Sequence, residues 1–168
     1  MSYTDDPDLV AQLTAAFRAT PIHALLDINF VNDPVAHGLA EVEGEVIVSM
    51  PVRPEAYGSS GNLHGGAIAT LIDVAAAAAA AQQSAFEPGK NTLVTADLHV
   101  RYLARPHGDI VFAKARVVRA GRQLIVVECR VVDREDRIIA SADFSSMVVP
   151  LRQPLAPEAT SDPSAPEL

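Results

Sequence analysis

The stretch Gly61-Asn62-Leu63-His64-Gly65-Gly66, running into Ala67-Ile68-Ala69-Thr70-Leu71-Ile72-Asp73-Val74 and then seven alanines from Ala75 to Ala81, decides the fold. Between Ala67 and Ala81 only Thr70 and Asp73 are not apolar. A helix apolar on every face is one that the rest of a domain wraps. The run is short of the roughly 18 apolar residues read as a membrane span, and it carries an acid in its middle. The pattern predicts a buried central helix that begins at a glycine pair and holds one carboxylate where carboxylates are costly.

Outward from this helix the chain changes period. Upstream, Leu9, Val10, Leu13, Ala16 and Phe17 have helical spacing, which predicts a helix over 8–19 stopped by Pro21. Ile22 to Leu26 reads as another helical turn and Ile28 to Asn32 as a short strand. His37 to Val52 reads as a longer strand with one wetter face, because Ala40, Val42, Gly44, Val46 and Val48 alternate with Glu41, Glu43, Glu45, Ile47 and Ser49. Pro54, Gly58, Ser59, Ser60 and Gly61 then mark a loop. Downstream come four strand patterns, 91–103, 110–119, 123–132 and 137–149, separated by turn signals. One buried helix with five or six strands, most of them after it, predicts an α+β layer with an antiparallel meander. From Pro150 onward, Pro154, Pro157, Pro163 and Pro166 with few apolar residues read as a disordered tail.

The 168 residues are enough for one domain with a real core, and 49% are hydrophobic with no tryptophan. A net charge of −8 argues against non-specific nucleic-acid binding, which needs a basic face. The single Cys129 excludes an intrachain disulfide and a thiolate cluster, and reads as a small buried residue on a strand. Met1-Ser2-Tyr3-Thr4-Asp5-Asp6 lacks the basic end and apolar run of a signal peptide, which predicts a cytoplasmic protein. No metal site, nucleic-acid partner or membrane partner is expected.

His64-Gly65-Gly66 followed by a small, apolar helix with an acid nine residues after the histidine resembles the hotdog-fold acyl-CoA thioesterases of the phenylacetate-degradation type. The resemblance covers about residues 20–150. It implies a hotdog fold, a curved antiparallel sheet wrapped around one long helix. The implied organisation is an N-terminal helical extension over 1–20, the hotdog domain over 21–150 and the tail over 151–168. It implies hydrolysis of an acyl-S-CoA, with coenzyme A as part of the substrate and no other cofactor. Asp73 would be nucleophile or general base, and the Gly65 N–H would polarise the thioester carbonyl, supported by His64. Sites in this family lie between paired subunits, which implies a homodimer or a dimer of dimers. Two positions depart from the pattern. Relatives often carry Asn or Gln where this chain has Gly58, and Ser or Thr one helical turn after the acid, where it has Ala77.

The residues themselves give further candidates. Bare backbone at Gly65 and Gly66 allows a carbonyl oxygen close approach, at a helix start whose N–H groups are unpaired. Strict alternation along 91–103 puts Thr95, Asp97, His99 and Arg101 on one face, with Val94, Ala96, Leu98, Val100 and Tyr102 on the other. This polar row is either a solvated or interface face, or brings Thr95 or His99 near the thioester. Arg101, Arg105, Arg119 and Arg122 are candidates for coenzyme A phosphates, and Phe86, Tyr57 and Leu63 for an apolar acyl pocket. The competing function is a non-hydrolytic acyl-CoA binder on the same fold, favoured by Gly58 and Ala77 and disfavoured by Asp73. A hotdog dehydratase fits less well, because Asp73 follows a His-Gly-Gly motif.

Overall fold

The structure is a computed structural model and describes residues 14–151 apart from 16. Residues 14, 15 and 17–19 are helical, as the N-terminal pattern predicts. The other residues over which a helix is expected, and the Pro-rich tail from 152, lie outside the described residues. A short helix α1 (Pro21–Leu26) follows, then strand β1 (Asn29–Phe30), strand β2 (Glu45–Pro51) and the long helix α2 (Gly65–Gln83). Four strands follow: β3 (Asn91–Tyr102), β4 (Ile110–Ala120), β5 (Leu124–Asp133) and β6 (Ile138–Pro150).

All six strands form one antiparallel sheet in the order β1-β2-β4-β5-β6-β3. The chain enters α2 after β2 near one edge and emerges to form β3 at the opposite edge, so the helix lies across the sheet. This is the α+β hotdog architecture that the sequence predicts. The core is the interface between α2 and the inner face of the sheet. Ile68, Leu71, Ile72, Ala75, Ala76 and Ala79 pack on Val46, Val48, Met50, Val111, Ala113, Ile125, Val127, Val131 and Phe144. Burying each of the large aliphatic side chains contributes roughly 1.5–3 kcal/mol, and the alanines let the helix seat close to the strands. Nine residues of α2 are buried, but Thr70, Asp73, Ala77, Ala78 and Ala81 remain part-exposed. The helix is therefore open along one stripe rather than enclosed all round.

The strand expected over 37–52 is shorter, beginning only at Glu45. Gly44 has φ +74°, a left-handed conformation that turns the chain, and the preceding segment folds over the outside of the sheet. There Leu39 joins Ile47, Phe112 and Val132 in a second small core. That cover explains why β2 is buried on both faces despite its alternating sequence.

The strict alternation expected in β3 is also corrected. Thr95 pairs with Ser146 but Asp97 pairs with Ser145, so Ala96 is an extra residue at a β-bulge. The bulge shifts the facing by one residue. Leu93 and Thr95 face the helix with Leu98, Val100 and Tyr102, whereas Asp97, His99 and Arg101 face outward. The outer face carries a charged rung in register, Glu45–Arg116–Glu128–Asp143–His99, in which Arg116 and Glu128 meet at 2.8 Å.

Candidate active site

The start of α2 is built by His64. Its backbone is extended (φ −66°, ψ 134°), its carbonyl accepts from the N–H groups of Ala67 and Ile68, and its Nδ1 accepts from the Gly66 N–H at 2.8 Å. A ring nitrogen that accepts carries no proton, so in the neutral ring the hydrogen sits on Nε2. His64 is thus an N-cap that uses up one of the free donors of the first turn. The second glycine is required by this cap: a Cβ on Gly66 would lie 2.9 Å from His64 Nδ1.

Gly65 is the first residue of the helix, and its N–H has no hydrogen-bond partner among the described residues. It is the donor left for a ligand at the positive end of the helix. Tyr102, at the end of β3, closes over the same glycine, with its hydroxyl donating to Gly65 O at 3.0 Å. A Cβ on Gly65 would meet the Tyr102 ring at 3.2 Å. Sequence reasoning missed Tyr102. Its signal was an inward alternation position at the last residue before a turn.

Two turns along, Asp73 is on the open stripe of α2. Its Oδ1 accepts from the Thr95 hydroxyl at 2.8 Å, across from the bulged edge strand. Asp73 also lines a cavity of about 570 Å³ with Val74, Ala77, Ala78 and Ala81 of the same helix and Phe86 beyond it. The opposite wall is Phe17, His23, Asn29 and Phe30. Backbone geometry accounts for this meeting. Gln83 Nε2 donates to Gly44 O, which fixes the end of α2 beside the start of β2. Five residues of strand from there, roughly 17 Å, match about eleven residues of helix. That brings Ser49, and its β1 partner Asn29, level with Ile72 and Asp73.

His23 and Asn29 were not anticipated from the sequence, which offers no motif around them. Each is oriented by a bond of its own. His23 Nδ1 donates to Phe17 O at 3.1 Å, so Nε2 is its acceptor in the neutral ring. The Asn29 NH₂ donates to Asp27 O and Oδ1, at 2.9 and 3.0 Å, so Asn29 Oδ1 is its open acceptor. Asp27 is held in turn by Arg53 at 2.7 Å. Of the predicted acyl-pocket residues, Phe86 lines the cavity. Tyr57 and Leu63 instead bridge to each other in the loop before α2.

The remaining predicted residues do not converge. His99 and Arg101 lie on the outer face around Asp143, with Arg101 bonded at 3.0 Å and His99 Nδ1 at 3.7 Å. Arg105 is exposed in the loop after β3, on the Gly65 side of the molecule, and its carbonyl accepts from the Arg137 guanidinium. Arg122 is exposed in the turn between β4 and β5, and Arg119 is just before it. The antiparallel register puts that turn at the other end of the sheet, roughly 35 Å away along the eleven residues of β4. One coenzyme A diphosphate cannot reach both Arg105 and Arg122 of the same protomer. The loop carrying Arg105 is anchored by Asp133, which is fully buried and accepts from the N–H groups of His107, Glu135 and Arg137 at 3.0–3.1 Å.

At Gly58 a Cβ would make only ordinary contact, 3.4 Å from the His64 ring, so the missing side chain is not excluded by packing. Among the described residues no group of three or more His, Cys, Asp or Glu is arranged to hold a metal ion. Cys129 is buried on β5, as expected.

Comparison with known proteins gives a consistent picture. Residues 60–140, which span α2 and most of the sheet, match the model of the thioesterase superfamily. A provisional esterase from Halobacterium salinarum is 35% identical over 97 residues, 56% of this chain and 63% of that protein. The chain therefore aligns with less than two thirds of that curated relative's length. A mutant thioesterase from Pseudomonas aeruginosa superimposes with a TM-score of 0.71 at 26% identity, over 84% of this chain and 94% of the other. A Bacillus halodurans protein crystallised with CoA gives 0.68 at 27%, over 85% and 89%.

Proposed function

We propose that this chain is a hotdog-fold thioesterase of the superfamily whose model matches residues 60–140, acting as an acyl-CoA thioesterase of the phenylacetate-degradation type that its motif resembles. One observation carries the reading: a carboxylate held by Thr95 opens, from the middle of a mostly apolar helix, onto a cavity lined by both apolar and polar side chains. The CoA-bound state of a structural neighbour supports the substrate class.

In the proposed reaction an acyl-S-CoA and water give a carboxylic acid and CoA. As general base, Asp73 takes a proton from water while the oxygen adds to the thioester carbonyl. The developing oxyanion accepts from the Gly65 N–H, a contribution of roughly 3–4 kcal/mol for one well-placed donor. Collapse of the adduct expels the CoA sulfur, which takes up the proton. As nucleophile, Asp73 would first form an acyl anhydride and release CoA, and water would then cleave the anhydride. Label in Asp73 after single-turnover hydrolysis in ¹⁸O-water would identify the anhydride route, with water attacking the aspartyl carbonyl.

The site is proposed to form between two copies. Gly65 and Asp73 of one helix are separated by about 12 Å, too far to act on one carbonyl. β3 offers a twelve-residue edge with no strand on its outer side among the described residues, a surface that natural sheets cover or pair. A homodimer, or a dimer of dimers, meets both needs. The proposed compartment is the cytoplasm, in keeping with the free, buried Cys129.

The competing reading is a non-hydrolytic acyl-CoA binder, favoured by the missing polar groups at Gly58 and Ala77. A panel of acyl-CoA substrates followed by thiol release, beside isothermal titration, decides between them. Binding without thiol release from any substrate overturns the hydrolase.

A further inference from the structure

We propose that Ser146 is a positioning residue for Asp73: its buried hydroxyl donates, through one bridging water, to Thr95 Oγ1, and Thr95 holds the carboxylate. The proposal deepens the thioesterase reading and rests on it for its kinetic consequence.

Three observations converge on this relay. Ser146 is 1% exposed, and its Oγ has no hydrogen-bond partner. Buried hydroxyls are costly to leave unpaired, so an orphan of this kind marks the place of an ordered water. Second, Ser146 is the direct register partner of Thr95 across β6 and β3, and the two share the face that looks at α2. Directly opposed residues have Cβ atoms roughly 5 Å apart, which suits one water between two hydroxyls that do not themselves touch. Third, the ladder breaks immediately after Thr95, where Ala96 is the extra residue. A bulge leaves backbone polar groups unpaired and separates the strands locally. The water would then have Ser146 Oγ and Thr95 Oγ1 as partners, which meets its need for at least two.

The direction of the chain follows from proton counting. The only Thr95 hydroxyl proton is already donated to Asp73 Oδ1. Thr95 Oγ1 can therefore only accept from the water, and Ser146, whose hydroxyl has no partner among the described residues, is proposed to donate to that water. Donation runs in one sense from Ser146 to water to Thr95 to Asp73, so each bond polarises the next. The carboxylate is tied by Oδ1 from the sheet side, and Oδ2 is left for the cavity. Residue 77 is alanine and supplies no hydroxyl from the helix, so the sheet provides the restraint that the helix lacks.

The test is a double-mutant cycle on folded protein, with Tm measured for every variant. Thr95→Val should lower kcat about tenfold to a hundredfold with KM changed less than about twofold, and Thr95→Ser should restore most of it. Ser146→Ala should lower kcat about three- to tenfold in the wild-type background and by less than about twofold on top of Thr95→Val, because the relay is already cut. Independent losses that multiply, or wild-type kcat in Ser146→Ala, overturn the proposal. A high-resolution crystal structure of the wild-type protein tests the relay without turnover. Water density bonded to both Ser146 Oγ and Thr95 Oγ1 supports the relay, and its absence overturns it. If the wild type releases no thiol from any acyl-CoA, the thioesterase reading fails while the water still decides the relay.

Discussion

Thr95 Oγ1 stands 2.8 Å from Asp73 Oδ1 and ties the edge strand of the sheet to the middle of the buried helix. The bond exists because the bulge at Ala96 turns Thr95 inward while His99 and Arg101 remain outside. It leaves the second carboxylate oxygen for chemistry. Asp73→Asn keeps the size of the side chain and an acceptor for Thr95 but removes the proposed base or nucleophile. Turnover should fall at least a thousandfold, while Tm stays within a few degrees and isothermal titration still shows acyl-CoA binding. Near-normal thiol release would reduce Asp73 to a structural role.

Arg105 and Arg122 occupy opposite ends of the sheet, so their removal should not act alike. Arg105 lies on the Gly65 side, where the thioester carbonyl is proposed to sit. Arg105→Ala should raise KM for acyl-CoA about tenfold with little change in kcat, a loss of binding shared by ground and transition states. Arg122→Ala should change KM less than about twofold. A short thioester without the nucleotide should be indifferent to both. Equal losses for Arg105→Ala on the two substrates would contradict a phosphate contact.

The helix and the sheet were legible because their signals are periodic. The run from Ala67 to Ala81 is apolar at helical length but for Thr70 and Asp73, and the four later strands alternate between turn residues. The candidate site was legible only where a local motif points to it, at His64, Gly65, Gly66 and Asp73. Period-2 reasoning reached Thr95 but grouped it with His99 and Arg101, since a bulge is set by inter-strand register and leaves no mark in alternation. His23, Asn29 and Ser146 were invisible for a different reason. Each matters because of what lies opposite it in space, 50, 44 and 73 residues from Asp73 in sequence.

Burial pushes the Cys129 thiol up to about 12, with Glu45 adding to the effect. A thiol in that state is neither nucleophile nor reagent target near neutral pH. A chromogenic disulfide reagent at pH 8 should find almost no thiol in the native protein and one per chain in denaturant. Assays of CoA release then read the product alone. Stoichiometric reaction of the native protein would show that the core opens around β5.

Asp133 links acid stability to the loop bearing Arg105. Burial alone would raise its carboxyl, but the N–H donors of His107, Arg137 and Glu135 and the Arg137 charge outweigh that and hold it below the usual carboxylate range. A depressed carboxyl stabilises the fold fully above the unfolded value near 3.8, and the contribution is lost as pH falls through the lower folded value. Asp133→Ala strands three backbone donors and should cost about 3 kcal/mol at neutral pH. The deficit relative to wild type should shrink as pH falls below about 4, measured by urea denaturation. A deficit independent of pH would assign the effect to packing.

The proposed site between two copies makes a prediction that no single-chain site can. Asp73→Asn lacks the acid, and Gly65→Pro lacks the N–H. Proline is tolerated at the first helical position, and the extended backbone of His64 suits a residue before proline. The Tyr102 ring, 3.2 Å from where the new Cβ would sit, must give by a few tenths of an ångström, which a side-chain tip can do. Each variant alone should be nearly inactive. Unfolded together in equal amounts and refolded, about half of the dimers should be mixed. If Asp73 of one protomer works opposite Gly65 of its partner, every mixed dimer holds one intact site and one doubly broken site. Activity should then recover to about a quarter of wild type. A site contained in one protomer predicts no recovery, because each protomer still lacks one of its two groups. Proven subunit exchange without recovered turnover would place both ends of the chemistry elsewhere than across the two-fold axis.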